Sequence, residues 1–217
     1  YMDEVFWTRR DIIELSKDFV CVKVNYDLSA SLKRKYRIRA IPFVILIDSW
    51  GTELASYRGF GSSSFRTIPN GMKVVPKDFS EIRPARNTLE VDKKNLEALK
   101  KISGFYIEHK FYYQSNEFLE PMLKLLTDPA ERENVMLDIG FNYLRATQPD
   151  KAKKYLNKFV KEFPASTQMD RALYGQYMMY RQKNSKKKAK KYLLQLRATY
   201  PNSKYANRQS GSLSTPE

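Results

Sequence analysis

The spacing of hydrophobic positions changes once along the chain, and each kind of spacing predicts its own kind of element. Up to about Phe60 short runs of two types alternate. "DIIELSKDF" carries apolar residues at helical intervals and predicts a short amphipathic helix, while "VCVKVN" is a valine-rich run of strand type. "SASLKRKY" supplies a helical turn or two, and "FVILID" reads as a buried strand. In "SWGTELASYRGF", Gly51 marks a tight turn into a further strand that pairs antiparallel with "FVILID". A parallel pair joined by a helix, then a hairpin, predicts an α/β unit with a mixed sheet.

The pattern then breaks down. Residues 61–88 hold three prolines, two glycines and a serine run, which predicts a long connector with one short helix near "KDFSEI". After Leu89 glycine and proline become sparse and the segments read as helices. The expected organisation is therefore an α/β domain over 1–65, a connector over 66–90, an all-α region over 91–206 and a polar, disordered tail over 207–217.

The helical region repeats itself. Gly104, Gly140 and Gly175 recur at intervals of about 35 residues, and "DKAKKYLNKFVKEFPAS" from Asp150 aligns with "KKAKKYLLQLRATYPNS" from Lys187. Ala152 lies 12 residues after Gly140 and 12 before Pro164, and Ala189 again lies 12 before Pro201. A small residue on each of two helices lets their backbones approach, and the proline ends the second helix because it cannot continue the hydrogen-bond ladder. The pattern departs in two places: "YRQKNSKKKAK" carries a two-residue insertion, and the first copy has Asn116 where the others have alanine. Over roughly residues 96–203 the chain resembles the tetratricopeptide class of helical solenoid. That resemblance implies a groove lined by the first helix of each pair, with Asn134, Leu137, Phe141, Arg145, Met169 and Gln176 facing it and binding a protein or peptide.

Composition narrows the chemistry. One cysteine, Cys21, and one histidine, His109, exclude an internal disulfide and the usual zinc sites, so neither metal nor cofactor is expected. Cys21 alternates with Val20 and Val22 and reads as a buried core thiol; His109 has no catalytic neighbours in "YIEHKFYYQ" and reads as structural or surface. No apolar run is long enough to span a membrane, and "YMDEVFWTRR" lacks the order of a secretory signal. The formal net charge is +15, and from Arg181 to Arg208 there are basic residues and no Asp or Glu. Within "SKKKAKKYLLQL", Lys186, Lys187, Lys190 and Lys191 fall on one helical face and Ala189, Tyr192, Leu193 and Leu196 on the other. This is the pattern of a solvated outer helix; binding of an anionic polymer is the alternative, and nucleic acid is disfavoured as a partner.

A second resemblance rests on the order "MDEVFW", "DFVCVKVNYD", "ASLKRKYRIRAIP" and "VILIDSWGTELASYRGF". It is similar to the thioredoxin family, in which a Tyr-x-Val/Ile-x-x-Val/Ile-Pro turn carries a cis-proline and an Asp-x-x-Gly hairpin follows. Tyr36, Ile38, Ile41 and Pro42 match the turn, Asp48 and Gly51 the hairpin, and Gly59 the glycine after the last strand. The resemblance implies that the backbone of Ile41, beside Pro42, pairs with an extended substrate peptide, although Phe43 replaces a common threonine. It also implies a Cys-x-x-Cys just before the "MDEVF" segment, so thiol–disulfide exchange is expected only of a form with that pair upstream of Tyr1. No residue of the chain is assigned catalysis, and a non-catalytic scaffold or adaptor is the other reading. The combination of domains resembles exported bacterial proteins, which implies an envelope location.

Overall fold

The computed structural model describes residues 2–207. The chain divides into two compact units, Tyr1–Glu81 and Ile82–Glu217.

The first unit contains α1 (Met2–Val5), α2 (Arg10–Ser16), α3 (Ala30–Lys35), β1 (Phe43–Ile47), β2 (Glu53–Arg58) and α4 (Ser64–Val74). Its strands form an antiparallel pair in which Phe43 faces Arg58 and Leu46 faces Ala55, with an irregularity between Leu46 and Ile47. The hairpin turn is built by Asp48, whose Oδ1 accepts the N–H groups of Trp50 at 2.9 Å and Thr52 at 2.8 Å. Gly51 supplies the left-handed conformation (φ 75°) that such a turn needs. Tyr36 ties this turn to the end of α3 by donating its hydroxyl to the Gly51 carbonyl at 3.1 Å. The core beneath is small and aromatic: Phe6 and Ile12 are fully buried, and Phe6 lies edge-on to Phe60 and Phe65.

Three sequence expectations change here. Residues 20–25 form no regular element and pair with no strand, so the described residues hold one two-stranded antiparallel sheet instead of a mixed one. A strand is stabilised by its ladder and its cross-strand side chains. Without a neighbour, Val20 remains 94% and Val22 74% exposed. Cys21 is exposed as well, and is not a core thiol.

The third change concerns the connector. Residues 66–90 are largely helical, comprising most of α4 and α5 (Arg83–Val91) with a single 3-10 turn between them at Ser80–Ile82. α4 forms in spite of Pro69 and Gly71 because Ser64, Ile68 and Met72 recur every four residues and are buried. The glycine is needed for packing, since a Cβ there would lie 1.6 Å from the Tyr57 hydroxyl. From residue 208 onward, the tail read as disordered lies outside the described residues.

After α5 the second unit is three helical hairpins: α6 (Leu96–Glu108) with α7 (Tyr112–Leu125), α8 (Pro129–Arg145) with α9 (Pro149–Glu162), and α10 (Met169–Gln182) with α11 (Lys186–Thr199). α7 also packs on α8 and α9 on α10, and α8 touches α10 directly. Asn95 and Asp128 cap α6 and α8 through side-chain oxygens that accept the Ala98 N–H at 3.0 Å and the Glu131 N–H at 2.7 Å. The three hairpin turns share one geometry. Lys110, Thr147 and Asn184, spaced 37 residues apart, each adopt positive φ. In each case the following N–H bonds back to the last helical turn: Phe111 to Tyr106, Gln148 to Tyr143 and Ser185 to Tyr180, at 2.7, 2.8 and 2.9 Å.

The repeated glycines are not equivalent. Leu156, fully buried on α9, is gripped between two of them: a Cβ on Gly140 would meet it at 3.0 Å and one on Gly175 at 2.8 Å. At Gly104 a Cβ would meet nothing within 4 Å, so the close approach expected from the sequence is absent in the first hairpin. Asn116 takes the place of the missing alanine in that hairpin. It is buried and donates its amide to the Ile139 carbonyl of α8 at 3.1 Å, joining the first hairpin to the second by a hydrogen bond.

Candidate interaction face on helices α8 and α10

Asp138, Phe141 and Arg145 lie at i, i+3 and i+7 on α8 and so share one face. Arg171 of α10 reaches this face, with its guanidinium 2.5 Å from Asp138 Oδ1 and 5.2 Å above the centre of the Phe141 ring. Phe141 is also stacked on Tyr174 at 6.4 Å, and Tyr174 in turn on Tyr205 at 5.3 Å. An aromatic column thus runs from hairpin to hairpin. Arg145 lies with its guanidinium 5.0 Å from the centre of the Tyr112 ring and donates to Asn142 Oδ1 at 3.1 Å. Burial holds this guanidinium below its ordinary basicity; Arg171 acts in the same direction, and Tyr112 and Asp138 oppose.

Behind Arg145 is a buried relay of amides. Asn142 Nδ2 donates to Asn116 Oδ1 at 3.2 Å and lies 3.4 Å from Ser115 Oγ, and both asparagines are shielded from solvent. Such groups are stable inside a helical stack only because each finds a partner. A second polar cluster joins Tyr143 to Glu120; burial first, and then the Glu120 carboxylate, push the Tyr143 hydroxyl well above the usual tyrosine range.

The residues expected to face a groove are placed unevenly. Asn134 is exposed and accepts from Gln168 Nε2 at 2.9 Å. Phe141 and Arg145 are half-buried on the face just described. Leu137 and Met169 are buried core residues. Gln176 is 4% exposed and bonded to Asn157 of α9 at 3.1 Å, so it braces two helices instead of lining an open surface. Asp138, Arg171, Tyr112 and Tyr174 were missed by the sequence reading. A signal for one pair existed, since Asp138 and Arg171 are opposite charges 33 residues apart.

In the other unit the Ile41–Pro42 bond is cis, with both residues exposed, and the Pro42 carbonyl accepts the Gly59 N–H at 2.9 Å. His109 is exposed at the end of α6, its ring 4.2 Å from that of Phe105. On α11 the face division read from the sequence is observed: Ala189 and Leu196 are buried, and Lys186, Lys187, Lys188, Lys190 and Lys191 are exposed. Among the described residues no cluster of His, Cys, Asp and Glu could hold a metal, and no helix is long and apolar enough to cross a membrane.

Residues 134–166 and 171–203 each match the family model of the tetratricopeptide repeat. Two tetratricopeptide repeats are therefore present. They correspond to the hairpins α8–α9 and α10–α11. The α6–α7 hairpin has their turn geometry without their glycine packing and lies outside the matched residues. Repeats of this class point to protein–protein interaction or a scaffold role. No curated protein matches the chain.

Proposed function

We propose that the protein binds an extended peptide segment of a partner protein along the face of α8 and α10, and so acts as an adaptor. One observation carries this reading: Asp138, Phe141, Arg145 and Arg171 form one half-buried face, with the Phe141 ring backed by the buried ring of Tyr174. A half-buried ring flanked by charged groups suits a ligand that offers apolar side chains and backbone amides together. Hydrogen–deuterium exchange of the full chain, with and without peptides selected from a random library, tests it. Protection is expected on α8 and α10. Protection confined to α11 that vanishes at high salt would replace this reading with anionic-polymer binding.

For the first unit we propose a thioredoxin-related fold, supported by the order α3, Pro42, β1, the Asp48–Gly51 turn, β2 and Gly59. Exposed Ile41 would there offer its backbone to a peptide. The 217 residues contain one cysteine, so they cannot themselves form a dithiol pair, and the adaptor reading requires none. Competition between a selected peptide and Ile41→Pro, read by the same exchange experiment, tests this second surface: loss of protection over 38–45 in the variant is the expected result.

A further inference from the structure

We propose that the outer face of α11 docks on an anionic lipid bilayer, with Lys187, Lys190 and Lys191 among the headgroups and Leu194 at the edge of the hydrocarbon. The inference concerns a face other than the peptide-binding one and does not rest on that reading. The positive charge of the repeat unit is not spread evenly. The first helices of the three hairpins carry net formal charges of 0 for α6, −1 for α8 and +1 for α10. The second helices rise along the stack: α7, with Glu117, Glu120 and Lys124, is −1; α9, with five lysines against Asp150 and Glu162, is +3; α11, with five lysines, Arg197 and no acid, is +6. On α9 ion pairs temper the charge, since Lys158 meets Glu162 and Asp150 meets Lys183. Lys186, Lys187, Lys188, Lys190 and Lys191 are all exposed, and among the described residues none of them has a carboxylate within 4.0 Å.

This arrangement costs the helix stability. The first turns of α8, α9 and α10 hold Glu131, Asp150 and Asp170, as the positive end of a helix favours, whereas that of α11 holds three lysines. Lys186 with Lys190 and Lys187 with Lys191 add two like-charged pairs one turn apart. A face that only meets water mixes the two signs, and a face of one sign attracts a surface of the other. Leu194 tells one anionic surface from another. It follows Lys187, Lys190 and Lys191 by seven, four and three residues, so it shares their side of the helix, and it is 54% exposed. A leucine adds nothing to contacts with the phosphates of a nucleic acid, and the rings that could stack on bases are taken, because Tyr180 and Tyr192 are half-buried and stacked on each other at 5.3 Å. At a bilayer surface both kinds of side chain are used: the lysine stems carry their ammonium groups to the headgroups while the leucine enters the acyl boundary.

Co-sedimentation of the full chain with vesicles of phosphatidylcholine alone, or of equal parts phosphatidylcholine and phosphatidylglycerol, tests the proposal. Binding is expected to the anionic vesicles and not to the neutral ones, and it should weaken as salt is raised. Each lysine near such a surface contributes about five-fold in affinity, so Lys187→Gln, Lys190→Gln and Lys191→Gln together should weaken binding by on the order of a hundred-fold. Removing three exposed lysines around the start of α6 instead, with Lys93→Gln, Lys94→Gln and Lys100→Gln, should weaken it by less than about ten-fold. Leu194→Ser should lose about five-fold. Thermal melts establish that each variant folds. Equal losses from the two triple variants would mean that net charge draws the chain to the vesicles and that this face does not, and the proposal falls. It falls as well if neutral vesicles bind equally, if no vesicle binds, or if Leu194→Ser binds like the wild-type chain. A last arm adds mixed-sequence single-stranded and double-stranded oligonucleotides as competitors. An oligonucleotide that displaces the vesicles, needs the same three lysines and is indifferent to Leu194 would overturn the bilayer in favour of nucleic acid.

Discussion

The first unit and the repeat unit use similar kinds of apolar residue to very different effect. In the repeat unit α10 is buried from Ala172 to Met179, because neighbouring helices cover it on several sides. In the first unit Val20, Val22 and Val24 are exposed although they alternate as a core strand would. The contrast shows what each element needs. A helix satisfies its own backbone and asks its neighbours only to cover a stripe, whereas a strand needs a partner before its alternation has any consequence.

The sharpest way to break this comparison is at Leu156, the side chain gripped by Gly140 and Gly175. Leu156→Ala should cost about 3 kcal/mol, the usual loss for a large-to-small change with little room to relax. A denaturant titration showing a loss below about 1 kcal/mol would mean that the two hairpins are not locked together there. Asn116→Ala comes next. It restores the alanine of the other copies but removes the acceptor of the buried Asn142 amide, and should destabilise by roughly 1–3 kcal/mol. A neutral result would show that water replaces the amide and that the relay behind Arg145 is loose.

Two glycine substitutions sharpen the comparison by sign instead of size. Gly104→Ala meets open space and should stabilise by about 0.5–1 kcal/mol, since alanine is the better helix former. Gly175→Ala drives a methyl group into Leu156 and should destabilise by about 1–2 kcal/mol in spite of the same propensity gain. Equal effects at both positions would erase the distinction between the matched repeats and the first hairpin. The smallest expected effect is on Cys21. A thiol reagent should label it fully in the native chain at nearly the rate seen in denaturant, whereas protection would mean that residues 20–25 are covered in solution.

Much of this was legible in the sequence for identifiable reasons. Asp48 and Gly51 have few uses three residues apart at the end of an apolar strand, and the hairpin they build is observed. Gly140, Ala152 and Pro164 record a helix pair through the close approach of two backbones, and that hairpin matches its family model. The helix α4 was hidden because Pro69 and Gly71 mimic a loop, while its buried stripe at Ser64, Ile68 and Met72 depends on what it packs against. Of the residues that the repeat resemblance put on a groove, Phe141 and Arg145 are half-buried while Gln176 is buried, since nothing in one helix reveals that Asn157 of α9 takes up its amide.

Sequence alone determined the helix pairs of the two matched repeats and the α3–β1–β2 order, because these follow from contacts between residues near one another in the chain. Only the tertiary structure decided that Asp138 is taken by Arg171, that Arg145 is held by Asn142 and Tyr112 without an ion partner, and that Cys21 faces solvent. Those outcomes depend on which distant groups arrive at a given face, and local spacing carries no record of them.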